Sequence, residues 1–267
     1  MQEIDVVVVS YRTEMEVARL TSDLKQSTFN PYTLHVFDNT GNPKTLTIAW
    51  NDLAAQGIGE YIAFFNPDIV ICPEWDKMLI DALARHKHLG AILPISMGSE
   101  RPVQCFGRTI HGNWGDPPTQ KDMGEIKAAI AGDDGIYVYC ETDPCAYFAV
   151  LMKREIFVRL KGFDERFTLY AQDHDMQDRI RGLGMQTGAL VSAPFWHGGS
   201  LSTKRAVENG DIHLQEEYVR IGKVLEPLRQ GSLKRWHDLS DLERAEIRRN
   251  PRYNRIAGAK KGEGSHA

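Results

Sequence analysis

Four polar clusters in this chain each follow an apolar run. Ser10-Tyr11-Arg12 follows Ile4–Val9, Asp38-Asn39 follows Thr33–Phe37, Asn66-Pro67-Asp68 follows Tyr61–Phe65, and His197 follows Phe195-Trp196. Carboxylates and imidazoles hold divalent cations and move protons, and a tyrosine ring can stack on a flat ligand. Each cluster alone is also what a turn looks like, since Asn-Pro and Pro-Asp are common turn pairs. Two further acids, Asp173 and Asp175, open a segment with helical periodicity, where they act either as cap and dipole partners or as reactive groups. In an open α/β sheet ligands bind at the carboxyl ends of the strands. The clusters therefore make one site if the runs before them lie side by side.

The runs have that character. Ile4–Val9 (IDVVVV) is continuous and β-branched, which suits a strand covered on both faces. Val17, Leu20 and Leu24 fall at helical spacing within 14–26, and Thr33–Phe37 is a second strand. Strand, helix and strand in succession are a βαβ unit, so the expected fold class is α/β. A helix is expected over 45–56, a strand at Tyr61–Phe65, a helix opening at Pro73-Glu74-Trp75-Asp76, and a strand at Ala91–Ile95. Residues 98–135 are rich in Gly, Pro, Asn and Asp and read as a long loop over a cleft. Strands at Ile136–Cys140, Ala146–Met152 and Thr187–Ala193 and helices over 154–160 and 174–183 follow. Gly198 and Gly199 place His197 on an accessible loop. Beyond it Leu214, Tyr218, Ile221 and Leu225 form an apolar stripe, and Ser240-Asp241-Leu242-Glu243 is a capping box opening a basic helix.

In this order the blocks resemble the family 2-type glycosyltransferases of the GT-A fold. The blocks are VVVVSYR, VFDN and WNDLAAQGIGEYIAFFNPDIVICPEW, then LMKREIFVRLKGFDERFTLYAQDHDMQDRIRGLG and FWHGGS, over about residues 3–203. The resemblance implies a GT-A-like, mostly parallel central sheet flanked by helices. It implies transfer of a sugar, with inversion, from a nucleotide-diphosphate donor to an acceptor hydroxyl. The division it implies is a GT-A domain at 1–205, with a nucleotide-binding half to about 97 and an acceptor-binding half from 98. A helical basic extension at 206–257 and a disordered tail at 258–267 complete the chain.

The same resemblance implies roles for single residues. Asp68 stands where the family's DxD has its last acid, and His197 matches the histidine that completes that site. The two would hold Mn2+ or Mg2+ against the diphosphate. Asp173 falls where the family places its general base, at a helix start that would keep it ionised but less basic. Asp175 is then only a cap and dipole partner. Ser10, Tyr11, Arg12, Asp38, Asn66 and Asp68 would bind the nucleotide-sugar. Within that set Tyr11 would stack on the base and Asp38 accept from base or ribose; Arg12, or Lys153 from outside the set, would face phosphate, unless either is a surface charge. Two positions depart from the pattern: Asn66 replaces the first acid of DxD, and Gln172 replaces the acid before Asp173.

Composition sets the outer limits. With 267 residues, 42% hydrophobic and 25% charged, the chain can bury a substantial core, which excludes disordered and fibrous classes. It contains no run of eighteen apolar residues and no basic-then-apolar leader, so neither a spanning helix nor a secretory signal is expected. Cys72, Cys105, Cys140 and Cys145 include no CxxC pair and read as reduced thiols, so a cytoplasmic location is expected. Residues 229–261 hold ten Lys/Arg against four Asp/Glu, while residues 1–228 hold 22 against 31. An acidic body with a basic tail calls for an anionic partner, whether nucleic acid, a membrane surface or the body itself; otherwise the tail is a solvated helix. Cell-envelope glycans or lipid-linked sugars lead as acceptors, ahead of other hydroxyls. Two alternatives stand: a catalytically impaired sugar-nucleotide-binding protein, on Asn66 and Gln172, and a glycosyltransferase acting on modified DNA bases, on the tail. A nucleotidyltransferase would want a glycine-rich phosphate loop, which SYRTEMEVARL lacks.

Overall fold

In the computed structural model, the residues described are 2–40, 44–97, 117–132, 135–139, 145–199, 201–212 and 214–250. Strand β1 (Ile4–Ser10) is buried along its whole length, which is why it is apolar at nearly every position rather than alternating. It lies parallel to and between β2 (Tyr32–Asp38) and β3 (Tyr61–Phe65). The other strands are β4 (Ile69–Val70), β5 (Leu89–Met97), β6 (Ile136–Val138), β7 (Ala149–Lys153) and β8 (Gln186–His197). All eight form one sheet in the order β2-β1-β3-β7-β5-β8-β4, with β6 paired to β8. Strand β7 runs antiparallel to both β3 and β5, and β5 is parallel to β8. Thus β1, β2, β3, β5 and β8 point one way, and β4, β6 and β7 the other.

Helices cover both faces. On one, α1 (Glu14–Ser27), α3 (Trp75–Arg85) and α4 (Gln120–Ala129) bury Leu20, Leu24, Trp75, Leu79 and Met123. On the other, α2 (Leu46–Ala54), α5 (Arg154–Arg159) and α6 (Gln172–Gly182) bury Trp50, Leu53, Phe157, Met176 and Ile180. Trp50 and Phe64 lie at 5.5 Å between ring centroids, and Phe163 lies 5.0 Å from each of them. The second face is therefore closed by interlocked aromatics, each pair adding to area burial.

Three elements differ from expectation. Helix α4 stands inside the segment expected to be loop. Its Thr119–Asp122 capping box starts it, but only Met123 and Ile126 are buried, so its apolar periodicity is faint. The two-residue β4 is too short to show a period. Strand β8 runs on to His197 because a bulge against β5, between Pro94 and Ile95, lets pairing resume at Pro194. His197 thus ends a strand rather than occupying an accessible loop, with a side chain 10% exposed. Residues 98–116 of the expected loop, Cys105, Cys140 and the tail at 258–267 lie outside the described residues; Cys72 and Cys145 are buried.

After β8 come α7 (Leu201–Glu208), α8 (Leu214–Gly222), α9 (Leu225–Arg229), a 3-10 turn at Trp236–Asp238 and α10 (Asp241–Arg249), the last opened by the Ser240–Glu243 capping box. The apolar stripe is interrupted: Leu225 is buried against Phe167 and Ala171, whereas Tyr218 is 62% exposed. The basic tail meets the body itself. Arg229 Nε lies 3.1 Å from Asp178, Arg235 Nη1 lies 3.7 Å from Asp175, and Arg248 Nε donates to Glu165 at 2.8 Å. Trp236 Nε1 donates to Lys161 O at 2.8 Å. Arg229, Arg235 and Arg248 are therefore engaged by acids of the body, while Arg252, Arg255, Lys260 and Lys261 lie outside the described residues. Among the described residues no helix is long and apolar enough to cross a membrane.

The GFDERF block turns out to be a structural clamp. Gly162 has φ +74°, and a Cβ there would sit 2.5 Å from Asn51 Oδ1. Only glycine allows that approach and that backbone. Asn51 then accepts from Phe163 N at 2.8 Å and donates to Phe163 O at 2.9 Å, fixing the block against α2.

Candidate active site

The register of β1, β2 and β3 gathers the first three clusters. Ser10 pairs with Asp38, and Val8 with Phe65, so Ser10, Asp38 and Asn66 emerge along one sheet edge. Asn39 N donates to Ser10 O at 2.8 Å, and Asp38 Oδ1 accepts from Thr40 N at 3.0 Å, leaving the rest of this exposed carboxylate to solvent. Arg12 is exposed and has φ +53°, a strained backbone held by its N–H to Thr40 Oγ1 at 3.1 Å. Tyr11 does not present a free ring. It is 9% exposed, packs with Ala206, Ile212, Leu169 and Leu214, and its hydroxyl donates to Asp211. Lys153 pairs with Tyr61 at the far end of β3 and lies 3.7 Å from Glu155, so it is held away from this edge.

The fourth cluster joins the third. Strand β4 pairs antiparallel with β8 and sets Ile69 opposite His197. His197 Nε2 lies 3.5 Å from Asp68 Oδ1 and 3.3 Å from Asn66 Nδ2. Asp68 Oδ2 accepts from Leu201 N at 3.0 Å, and Asp68 O from Gly198 N at 2.8 Å. Burial pushes the Asp68 carboxyl up, but the His197 hydrogen bond and charge and the Leu201 N–H outweigh it and hold the group below its ordinary range. An ionised carboxylate beside an imidazole is a donor pair for Mn2+ or Mg2+. Among the described residues no three His, Cys, Asp or Glu side chains converge, so toward a cation the described residues would supply this pair alone, leaving its other positions to ligand oxygens.

Asp173 sits in the first turn of α6, after Ala171, whose φ of +65° is a second strained non-glycine at this edge. Its Oδ1 accepts from His174 N at 2.9 Å and its Oδ2 from Tyr147 N at 3.4 Å. Burial raises its pKa, opposed by the His174 charge and by the His174 and Tyr147 N–H groups. Desolvation beats the helix dipole here, so Asp173 is more basic than an ordinary aspartate, not less as expected. The next residue, Phe148, links this carboxylate to the histidine. Its ring stacks on His197 at 5.1 Å and 18°, and its carbonyl accepts from Asn66 N at 2.8 Å. Neither Tyr147 nor Phe148 carried a sequence signal, because one acts through its backbone and the other resembles any core phenylalanine.

Asp175 is more than a dipole partner. With no exposed side-chain surface, it receives Arg179 Nε at 2.7 Å, and Arg179 Nη1 also donates to Leu160 O at 2.9 Å and Gly162 O at 2.8 Å. The i,i+4 spacing of Asp175 and Arg179 was the legible signal. Burial pushes Asp175 up to about 6, with Arg179 lowering it and Asp164 raising it. The ordinary value is about 3.9. Between the two the folded chain keeps a proton that the unfolded chain has lost, so this group's contribution falls as pH rises from about 4 to about 6 and is level above. Urea unfolding at successive pH values should show that Asp175→Asn removes this decline. Identical pH slopes for the two proteins would refute it.

Helices on both faces of a mixed sheet, with polar groups at the strand ends beside the inserted antiparallel β7, define the GT-A fold. The crystal structure of GalNAc-T7 with UDP, GalNAc and Mn2+ matches this one with a TM-score of 0.52 and 12% identity, over 74% of this chain and 44% of that chain. In sequence the chain is similar to the O-antigen biosynthesis protein RfbC of Myxococcus xanthus, 25% identical over 199 residues. The match covers 69% of this chain and 15% of RfbC, so the chain spans a small part of that protein's length. No family model matches the chain.

Proposed function

We propose that the chain is a metal-dependent, inverting glycosyltransferase that moves a sugar from a nucleotide-diphosphate donor to an acceptor hydroxyl. The observation that carries this reading is the short link from Asp173 through Tyr147 and Phe148 to His197, which holds a basic carboxylate beside an Asp68–His197–Asn66 cluster. Ser10, Arg12 and Asp38 line the donor's nucleotide, Asp38 offering an exposed carboxylate to ribose or base hydrogens and Arg12, whose Nε donates to the Tyr11 hydroxyl at 3.4 Å, its remaining guanidinium N–H groups to phosphate. Tyr11 supports this wall from behind. Asp68 and His197 would hold the cation, and Asn66 would orient the His197 ring. When bound, a divalent cation supplies positive charge for the departing diphosphate. Asp173 takes the acceptor hydroxyl proton as that oxygen bonds to the anomeric carbon, and the bond to the diphosphate breaks with its electron pair. GalNAc-T7 with UDP and Mn2+ supports the donor class, and RfbC supports a cell-envelope glycan as acceptor.

The test is a thermal-shift panel of UDP, GDP, dTDP and CDP with and without Mn2+. One nucleotide should raise the unfolding temperature in a Mn2+-dependent manner, by about 2.7 kcal/mol of stability at a hundredfold excess over its dissociation constant. The metal-dependent part should vanish in Asp68→Ala. No shift with any nucleotide would overturn the reading.

A further inference from the structure

We propose that the exposed face of Tyr218 is the platform on which the acceptor presents a pyranose ring, an inference that rests on the transferase reading above. Tyr218 is 62% exposed, yet its ring is not free to wander: it stacks on Tyr170 at 6.1 Å between centroids with the planes 8° apart. Tyr170 immediately precedes the strained Ala171 and lies three positions before Asp173, the proposed base.

Helix α8, which carries Tyr218, is fixed along its length to the same segment. Leu214 packs into the Tyr11 cluster together with Leu169, and Thr168 Oγ1 donates to the buried carboxylate of Glu217. Just past the helix, Val224 and Leu225 pack on Phe167 and Ala171. Residues 167–171 and the start of the extension therefore form one shelf beside the base, and on it lies an aromatic ring held parallel to Tyr170 in an offset stack and still 62% exposed. The apolar C–H face of a pyranose matches the negative face of a tyrosine ring. A tyrosine already stacked loses little rotamer freedom on binding, which favours weak, repeatable contact with a sugar. A glycan acceptor fits this shelf, whereas an isolated small alcohol would have nothing to stack.

The test uses the full chain and a panel of methyl α- and β-glycosides of glucose, galactose, mannose, N-acetylglucosamine and rhamnose. Saturation-transfer NMR from the protein's aromatic protons should reach one C–H face of at least one glycoside. Tyr218→Ala should weaken that contact at least tenfold, while Tyr218→Phe and Tyr218→Trp keep it. The nucleotide thermal shift should be unchanged in all three variants, which also shows that they fold. Absence of any glycoside contact, or equal contact in Tyr218→Ala, overturns the platform. If the nucleotide shift persists in that case, the platform alone has failed; if wild type shows no nucleotide shift, the transferase reading has failed.

Discussion

Asp173→Asn is expected to lower sugar transfer by roughly 10²–10⁴-fold, the usual contribution of a general base, while nucleotide binding persists. The replacement keeps the size of the side chain but turns one acceptor into an amide donor facing either His174 N or Tyr147 N. A small local shift is therefore expected beside the chemical loss. The pH profile separates the two. Burial holds the Asp173 pKa above the ordinary carboxylate range, so the wild-type rate should fall as pH drops through that raised value and the base takes up a proton. In Asp173→Asn this acid limb should be gone from whatever rate remains. Initial rates against pH, with the nucleotide identified by thermal shift, decide the matter. A variant that transfers at the wild-type rate would remove Asp173 from the mechanism.

The second large effect is on stability. Arg179→Met should cost about 3–5 kcal/mol, the range for removing one partner of a buried ion pair. Arg179 and Asp175 are both fully buried, and Arg179 also satisfies the carbonyls of Leu160 and Gly162. The variant leaves a carboxylate without its nearest cation and two carbonyls without a donor. Asp175 can neutralise itself by taking a proton, so the loss should be smaller at pH 4 than at pH 7. The double variant Asp175→Asn, Arg179→Met should recover part of it. Urea unfolding of the single and double variants measures this. A loss under about 1 kcal/mol, the level of an exposed pair, would mean that the pair is not coupled as its geometry indicates.

Much of the sheet was legible because its strands are either wholly buried, as β1 and β3 are, or end in conspicuous polar turns. The class followed from strand, helix and strand in succession. The candidate site was legible as four sequence clusters because parallel register turns separate strand ends into neighbours, as with Ser10 and Asp38. Features set by tertiary contact were not legible. Nothing local to Tyr11 says that Asp211, two hundred residues later, will take its hydroxyl. The basicity of Asp173 depends on how much water its surroundings exclude, whereas sequence shows only its place at a helix start. The tail looked like a ligand-binding basic arm because charge totals do not reveal that Asp178, Glu165 and Asp52 face the same arginines.

That strap of arginines bears on how far the chain can be trimmed. A shortened protein ending near residue 205, where the resemblance to the family 2-type glycosyltransferases stops, would uncover Phe167 and Ala171 and leave Glu165 and Asp178 without their C-terminal cations. Such a product would be a sticky fragment rather than a minimal folded unit, because the segment leading into Asp173 would have lost its outer wall. Through Arg248, α10, the last of the described helices, is a buckle fastened back onto α2 and the loop before α6.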